Sequence, residues 1–175
     1  VHFSSTRPKN GSTVTVRGNT VYRTNRRHLR MKHSQGVVTI SSDNYAIDIL
    51  DNVVEDAPVP FIANFHHGMG QWRVRGNRVT GNNGKLKKND RTPLADIVFE
   101  ENEFHDVGTS RIFRKWLAEP VSRFRFDRNI VKGGSLELKG LKDSSVKDNT
   151  VMGCRAVPIV VADDSNVAVS GNQTR

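Results

Sequence analysis

The sequence predicts an all-β solenoid, because one short phrase recurs along its whole length. The phrase is an apolar, a polar and a second apolar residue, then two residues, an asparagine, and another apolar residue two positions later. The asparagines are separated by 33, 25, 25, 27, 20 and 23 residues. Such a period is typical of solenoid repeats. The recurring residues are Asn19, Asn52, Asn77, Asn102, Asn129, Asn149 and Asn172.

The positions around these asparagines favour strands with one buried face. We compared the residues five and three positions before each asparagine and two positions after it. Nineteen of these 21 positions are apolar, whereas the overall apolar content of 35% would give about seven. The residues between them are polar or charged, and this alternation with a period of two indicates half-buried strands. We find no segment that sustains a helical period.

The asparagine is predicted to form the corner between two strands of a repeat. Asparagine tolerates the left-handed backbone conformation that β-branched residues avoid. Stacked asparagine side chains can also hydrogen-bond from one repeat to the next. Gly18, Gly76 and Gly171, directly before three of the asparagines, fit the same tight corner.

These repeats resemble the right-handed parallel β-helix of the pectate-lyase-like superfamily, and the resemblance covers essentially the whole chain. It implies a single domain over residues 1–175 with about seven rungs. We expect this domain to be part of a longer β-helix, because solenoids need capping segments and neither end carries one. Lyases, hydrolases, epimerases and phage tailspikes share the repeat, so it indicates the fold rather than the activity.

Composition favours a polyanionic partner. The formal net charge is +9 and the isoelectric point is near 10.1, which suits an acidic polysaccharide. Most of the 12 aromatic residues occupy inward repeat positions, which weighs against nucleic acid. No apolar run of membrane-spanning length occurs. We expect a secreted, cell-surface or virion-surface protein, and we expect Cys154 to be a small packed side chain rather than a nucleophile.

The segments between the asparagine phrases predict a basic stripe. Equivalent positions in neighbouring rungs of a parallel β-helix lie about 4.8 Å apart on one face. Basic residues recur at roughly corresponding places in these segments. We predict that the substrate-binding residues are Arg27, His28, Arg30, Lys85, Lys88, Arg111, Lys115 and Lys139.

The same stripe contains the candidate catalytic residues. A uronate lyase needs a base for the C5 proton and a positive group for the enolate-like intermediate. The alginate-lyase and chondroitinase-type β-helix lyases use a Lys/Arg pair, usually with calcium. Their signature is absent here, so no family residue is transferred. Our candidates are Lys32, His33, His66, His67, Lys87 and Arg114.

Acidic residues offer one alternative site. Glu100, Glu101 and Glu103 near Asp127 could bind calcium, but we favour ion pairs with Arg75 and Arg125. The spacing of the histidines, His105 among them, matches no zinc pattern.

Two functional hypotheses follow. The first is a carbohydrate-active module that binds an acidic polysaccharide and cleaves it by β-elimination. The second is a non-catalytic adhesin or tailspike-like rod that only docks a glycan, and a purely structural stack on further β-helix segments or chains is the remaining option.

Overall fold

The computed structural model describes residues 2–4, 13–22, 38–41, 46–55, 61–64, 71–80, 95–111, 121–154, 159–162 and 165–175. These residues form strands and turns and contain no helix. Accordingly, none of them belongs to a helix that is long and apolar enough to cross a membrane. The all-β prediction is confirmed.

The described strands are short and follow one another closely along the chain. In chain order they are β1 (His2–Ser4), β2 (Thr13–Arg17), β3 (Thr20–Tyr22), β4 (Val38–Ser41), β5 (Ala46–Leu50), β6 (Val53–Glu55), β7 (Phe61–Asn64), β8 (Trp72–Arg75), β9 (Arg78–Thr80), β10 (Ile97–Glu100), β11 (Glu103–Arg111), β12 (Val121–Ser122), β13 (Arg125–Asp127), β14 (Ile130–Lys139), β15 (Leu141–Lys147), β16 (Thr150–Met152), β17 (Ile159–Ala162), β18 (Ser165–Ser170) and β19 (Gln173–Thr174).

These strands form three sheets among the described residues. Sheet 1 contains β1, β4 and β7. Sheet 2 contains the strands that precede the repeating asparagines, in the order β2, β5, β8, β10, β13, β15, with β12 and β18 also paired to β15. Sheet 3 contains the strands that follow the asparagines, in the order β3, β6, β9, β11, β14, β16, β19, with β17 also paired to β14.

Strand pairing is parallel, and each strand pairs with its counterpart one repeat further along the chain. In sheet 2, Phe99 lies between Val74 and Phe126, its equivalents in the two neighbouring repeats. In sheet 3, Phe104 lies between Val79 and Val131 in the same way. Equivalent residues of successive repeats therefore form straight rows, an arrangement compatible with a parallel β-helix or another solenoid.

The core consists of the inward residues of sheets 2 and 3. Burial alternates along the strands, so that Trp72 and Val74 are buried while Arg73 and Arg75 are exposed. Phe99, Phe104, Phe124 and Phe126 contact one another with ring centroids 6.0 to 6.4 Å apart. Offset aromatic pairs at such distances stabilise a core beyond their buried area. Cys154 packs against this core and is half-buried, as predicted for a small apolar side chain.

Ser144 is the one polar residue at an inward position of sheet 2 that is buried. Its hydroxyl donates to the carbonyl of Lys142 at 2.7 Å and accepts from the backbone N–H of Phe124 at 3.0 Å. Phe124 lies at the interruption between β12 and β13. Since a buried backbone N–H needs a partner, the serine hydroxyl replaces a sheet hydrogen bond at this point.

The repeating asparagines form a continuous ladder, as the sequence predicted. Each of the first six donates both its backbone N–H and its side-chain amide to Oδ1 of the next asparagine, at 2.8 to 3.2 Å. From Asn52 onward, each ladder asparagine also donates its side-chain amide to a strand carbonyl one repeat back. For example, Asn102 donates to the Val74 carbonyl oxygen at 2.9 Å. We call Asn19, Asn52, Asn77, Asn102, Asn129, Asn149 and Asn172 the ladder asparagines.

The prediction that these asparagines adopt the left-handed conformation was wrong. The residue directly before each of them does so, with φ between 54° and 66°, and no ladder asparagine has positive φ. Because the chain bends one residue earlier, the asparagine side chain points into the corner, where its amide can stack. These seven corner residues are Gly18, Asp51, Gly76, Glu101, Arg128, Asp148 and Gly171.

The segment after Asn129 forms the longest described strand. Gly133 and Gly134 lie within the continuous strand β14, although glycine in a strand interior often marks an irregularity. The partner strand β11 accommodates this with a register shift between His105 and Gly108. Gly140, with a φ of 68°, then turns the chain into β15.

Candidate functional site

Only two of the predicted site residues lie among the residues that the structure describes. Arg111 ends β11 beside Glu137 of β14, and Lys139 ends β14 beside Ala162 of β17. The two residues therefore lie at the same end of neighbouring strands, two positions out of register. The other predicted site residues lie outside the described part of the chain, and their roles stay predictions. They are Arg27, His28, Arg30, Lys32, His33, His66, His67, Lys85, Lys87, Lys88, Arg114 and Lys115.

The outer face of sheet 2 carries a series of arginine–carboxylate pairs. Most of them join neighbouring repeats, with nitrogen–oxygen distances of 2.7 to 3.2 Å, and Arg128 also contacts Glu100. Strand alternation explains the charges two and four positions before a ladder asparagine, which point outward. The corner residues Asp51, Glu101 and Arg128 lie one position before a ladder asparagine, and Asp96 and Arg123 lie six positions before one. The other pairs are Arg17–Asp51, Arg73–Asp48, Arg75–Glu101, Arg123–Asp96, Arg125–Asp127 and Arg128–Glu101.

The acidic cluster proposed as a calcium site takes part in these pairs. Glu101 contacts Arg75 as predicted, whereas Arg125 contacts Asp127 within its own strand. The sequence interpretation missed Arg128, which contacts both Glu100 and Glu101. Hydrogen bonds from Arg75, and then from Arg128, lower the pKa of Glu101. Among the described residues, no three histidine, cysteine or acidic side chains are grouped so as to hold a metal ion.

Several cations on the described surface have no such partner. Lys132, Lys142 and Lys147 form no ion pair with another described residue, and neither does Arg78. Lys142 and Lys147 lie in β15 of sheet 2, whereas Lys132 lies in β14 of sheet 3. The positive charge that is free to meet a ligand on this part of the surface is therefore carried mainly by lysine, while most arginines are held by carboxylates.

A shallow depression of about 390 Å³ lies on the outer face of sheet 2. Besides Ser144 and Ala168, six charged or polar residues contribute to its lining. They are Arg123, Arg125, Asp143, Ser145, Lys147 and Asn166. Three of these side chains are cationic and one is anionic, so the depression carries a net positive charge.

The two arginines of the depression are fixed by carboxylates at its edge. Arg125 donates through Nε to Asp127, whose side chain is only 7% exposed. Arg123 donates through Nε and a terminal nitrogen to both oxygens of Asp96, at 2.7 and 2.8 Å. The hydrogen bond from Arg123 lowers the pKa of Asp96, although partial burial acts in the opposite direction. Such fork-to-carboxylate contacts fix the direction of a guanidinium group.

A second cluster lies on the outer face of sheet 3. His105 Nε2 and Glu103 Oε2 are 2.9 Å apart, and the histidine side chain is only 20% exposed. Lys132 is the in-register neighbour of His105, and Arg78 is that of Glu103. The hydrogen bond from His105 is the main cause that lowers the pKa of Glu103, with further contributions from Lys132 and Arg78.

The sequence interpretation missed both the depression and the His105–Glu103 pair. The pair has a signal in the sequence, because residues two apart on a strand point to the same face. The depression has a weaker one. It depends on Asp96, Arg123, Asp143 and Asn166, which all adopt positive φ and lie in register, six positions before a ladder asparagine.

Comparison of the chain with models of known families, with curated proteins and with solved structures found no match.

Proposed function

We propose that the chain forms a right-handed parallel β-helix of about seven rungs, as a single domain. The parallel rows of sheets 2 and 3 and the ladder through seven asparagines support this architecture. In such a fold each repeat is stabilised by burial against its neighbours, and the outer faces are free to bind a long ligand.

On this scaffold, we propose that the protein binds an acidic polysaccharide. The observation that supports this most directly is that Lys132, Lys142 and Lys147 form no ion pair with another residue that the structure describes, while several described carboxylates are paired with arginine. A surface with uncompensated positive charge attracts a polyanion over a distance of about a Debye length, roughly 8 Å in physiological salt. Acidic polysaccharides are mainly extracellular, which agrees with a secreted, cell-surface or virion-surface location.

We further propose lyase-like β-elimination as the reaction of the protein. A base among Lys32, His33, His66, His67 and Lys87 would remove the C5 proton of a uronate, and Arg114 would stabilise the negative charge that develops. The bond from C4 to the leaving oxygen then breaks, and that oxygen takes up a proton. Calcium bound near the uronate carboxylate is an optional addition to this scheme.

A non-catalytic adhesin or tailspike-like rod is the second candidate. It is favoured by the ion pairs on the outer face of sheet 2, because most of them join one repeat to the next. Charged side chains used in this way add to the scaffold rather than to chemistry. In this alternative the glycan is docked and not cleaved.

The test is to titrate the protein with pectate, alginate, chondroitin sulfate, heparin and a neutral glucan at increasing NaCl concentration. We expect binding to at least one acidic polymer that weakens with salt, and no binding to the neutral glucan. A rise in ultraviolet absorbance from an unsaturated uronate would support the lyase, whereas binding without it would favour the rod. Absence of binding to every acidic polymer would refute the proposed function.

A matched pair of variants locates the surface. Lys132→Gln/Lys142→Gln/Lys147→Gln removes three unpaired charges, and Arg17→Gln/Arg73→Gln/Arg75→Gln removes three paired ones, so the net charge changes equally. We expect the lysine variant to lose most of the polymer affinity and the arginine variant to lose much less. Circular dichroism verifies that both retain the fold.

A further inference from the structure

The depression on the outer face of sheet 2 has a chemistry more specific than a positive surface. We propose that it is the subsite for one anionic sugar residue of the polysaccharide, with its carboxylate or sulfate group between Arg125 and Lys147. This assignment rests on the proposed function and names the place where a single saccharide unit is recognised. A lining of cations, amide and hydroxyl groups with a volume of about 390 Å³ suits a small polar ligand.

Arg125 is oriented towards a ligand before any ligand arrives. Its Nε is engaged by Asp127, which also accepts a hydrogen bond from the Ser145 hydroxyl at 3.2 Å. The two terminal nitrogens of Arg125 make no hydrogen bond to another described residue, and the side chain is 51% exposed. A guanidinium held at one edge presents its remaining donors in a fixed plane, which matches the two oxygens of a carboxylate or sulfate.

Lys147 supplies the second positive charge. It is the in-register neighbour of Asp127, and Ser145 is the in-register neighbour of Arg125, so Lys147 lies one strand over and two residues along from Arg125. Alternation along β15 places Ser145 and Lys147 on the same outer face. Lys147 forms no ion pair with any residue that the structure describes, so its ammonium group is available to the same anion.

The opposite side of the depression offers partners for sugar hydroxyls. Asn166 donates its amide to Asp143 Oδ1 at 2.7 Å, which leaves the Asn166 carbonyl oxygen and Asp143 Oδ2 as acceptors. Asp143 also lies close enough to Arg123 to contribute to the raised pKa of that arginine. A ligand that uses the whole site therefore combines one anionic group with hydroxyl donors, as a uronic acid or a sulfated sugar does.

The experiment is an NMR and calorimetric titration of the intact chain with three short oligosaccharides. One is a galacturonate oligomer, one is a sulfated heparin oligomer and one is a neutral glucose oligomer of equal length. We expect an anionic oligomer to shift the backbone amides of Ser145, Lys147 and Ala168, and the neutral one to leave them unchanged. The comparison of galacturonate with heparin tells whether the site prefers a carboxylate or a sulfate.

Charge-matched variants distinguish the effect of the charges in the depression on affinity from the effect of the net charge. Arg125→Gln/Lys147→Gln should weaken binding of the preferred oligomer at least tenfold, because two charge-assisted contacts are lost. Arg17→Gln/Arg73→Gln changes the net charge equally outside the depression and should alter the affinity less than about threefold, since both arginines are exposed and already paired with carboxylates.

The outcomes distinguish a failure of the subsite proposal from a failure of the proposed function. If both variants weaken binding equally, or if the amide shifts lie elsewhere, the subsite is overturned although polymer binding stands. If no acidic oligomer or polymer binds the unaltered protein, the proposed function fails as well. Should the Arg125 variant unfold, the amide shifts in the unaltered protein still decide where the oligomer lies.

Discussion

The corner residues combine backbone strain with surface charge. Asp51, Glu101, Arg128 and Asp148 adopt the left-handed conformation without being glycine, at a cost of about 1–2 kcal/mol each. Three of them form ion pairs that are exposed and screened by solvent, so these pairs do not offset that strain. The adjoining ladder asparagine makes several buried hydrogen bonds worth about 1 kcal/mol each, and these stabilise the corner.

Gly18 and Gly76 allow the energetic cost of backbone strain at a corner to be measured separately from the cost of a steric clash. Both have a φ of 66°, but a Cβ on Gly18 would meet nothing within 4 Å, whereas one on Gly76 would lie 2.6 Å from Asp51 Oδ1. We expect Gly18→Ala to cost about 1–2 kcal/mol through conformation alone. Gly76→Ala should cost about 1–3 kcal/mol more, because Asp51 must move away from Arg17.

Urea denaturation of the two glycine variants measures this difference in the free energy of unfolding. Equal losses for Gly18→Ala and Gly76→Ala would mean that Asp51 does not occupy the space above Gly76, contrary to the structure.

At the scale of the elements, the asparagine ladder joins sheets 2 and 3 at every repeat. Its interior members, Asn52, Asn77, Asn102, Asn129 and Asn149, are buried and use both amide hydrogens and the carbonyl oxygen. A buried polar row is stable only when it is fully satisfied, since an unpaired buried group costs about 1–3 kcal/mol. The ladder should therefore be most sensitive in the middle and least sensitive at Asn19, which is exposed.

Asn102→Ala tests this sensitivity against Asn19→Ala. The first removes the acceptor of two hydrogen bonds from Asn77 and two donated bonds, all buried, and we expect a loss of at least about 3 kcal/mol. The second removes bonds to Asn52 and to the Arg17 carbonyl in an exposed setting, and we expect a loss of about 1 kcal/mol.

Guanidinium denaturation monitored by circular dichroism gives both values for the asparagine variants. A similar, small loss for Asn102→Ala and Asn19→Ala would show that the ladder does not stabilise the stack.

Much of this element-level organisation could be predicted from the sequence, because burial with a period of two and the repeated asparagine are both local signals. The rows through Phe99 and Phe104, the amide ladder and the Arg75–Glu101 pair were predicted and are confirmed. The position of the residue with left-handed backbone conformation was not predicted correctly. Glycine and asparagine are adjacent in three repeats, and either could make the bend. The continuity of β14 through Gly133 depends on pairing with β11, which no local pattern reveals.

The candidate site was less predictable for a physical reason. The notion of a basic stripe rests on which side chains lie beside each other, and that depends on register between repeats of unequal length. Among the described residues, register brings Arg125, Lys147 and Asn166 to one depression although they are separated along the chain. Neither Arg125 nor Lys147 belongs to the longest basic segments, which were the signal used for prediction.

At the scale of the whole molecule, the polar groups of the described residues have three separate uses. In the interior, the ladder amides and the Ser144 hydroxyl form buried hydrogen bonds. On the outside, arginine–carboxylate pairs join the repeats, and the lysines without an ion pair among the described residues remain for a ligand. This division requires that all seven repeats lie in one uninterrupted stack. The row of outward residues directly after the ladder asparagines makes that requirement measurable. Its members are Thr20, Val53, Arg78, Glu103, Ile130, Thr150 and Gln173.

The most direct measurement is cysteine cross-linking along this row, in a Cys154→Ala background and with a short bifunctional thiol reagent. Neighbouring members lie one strand spacing apart, about 4.8 Å, and next-nearest members about twice that. We predict that all six neighbouring pairs, such as Arg78→Cys/Glu103→Cys, cross-link within one chain, and that Thr20→Cys/Arg78→Cys and Arg78→Cys/Ile130→Cys do not. Failure of the neighbouring pairs, or equal cross-linking of the next-nearest ones, would contradict a single stack of seven repeats.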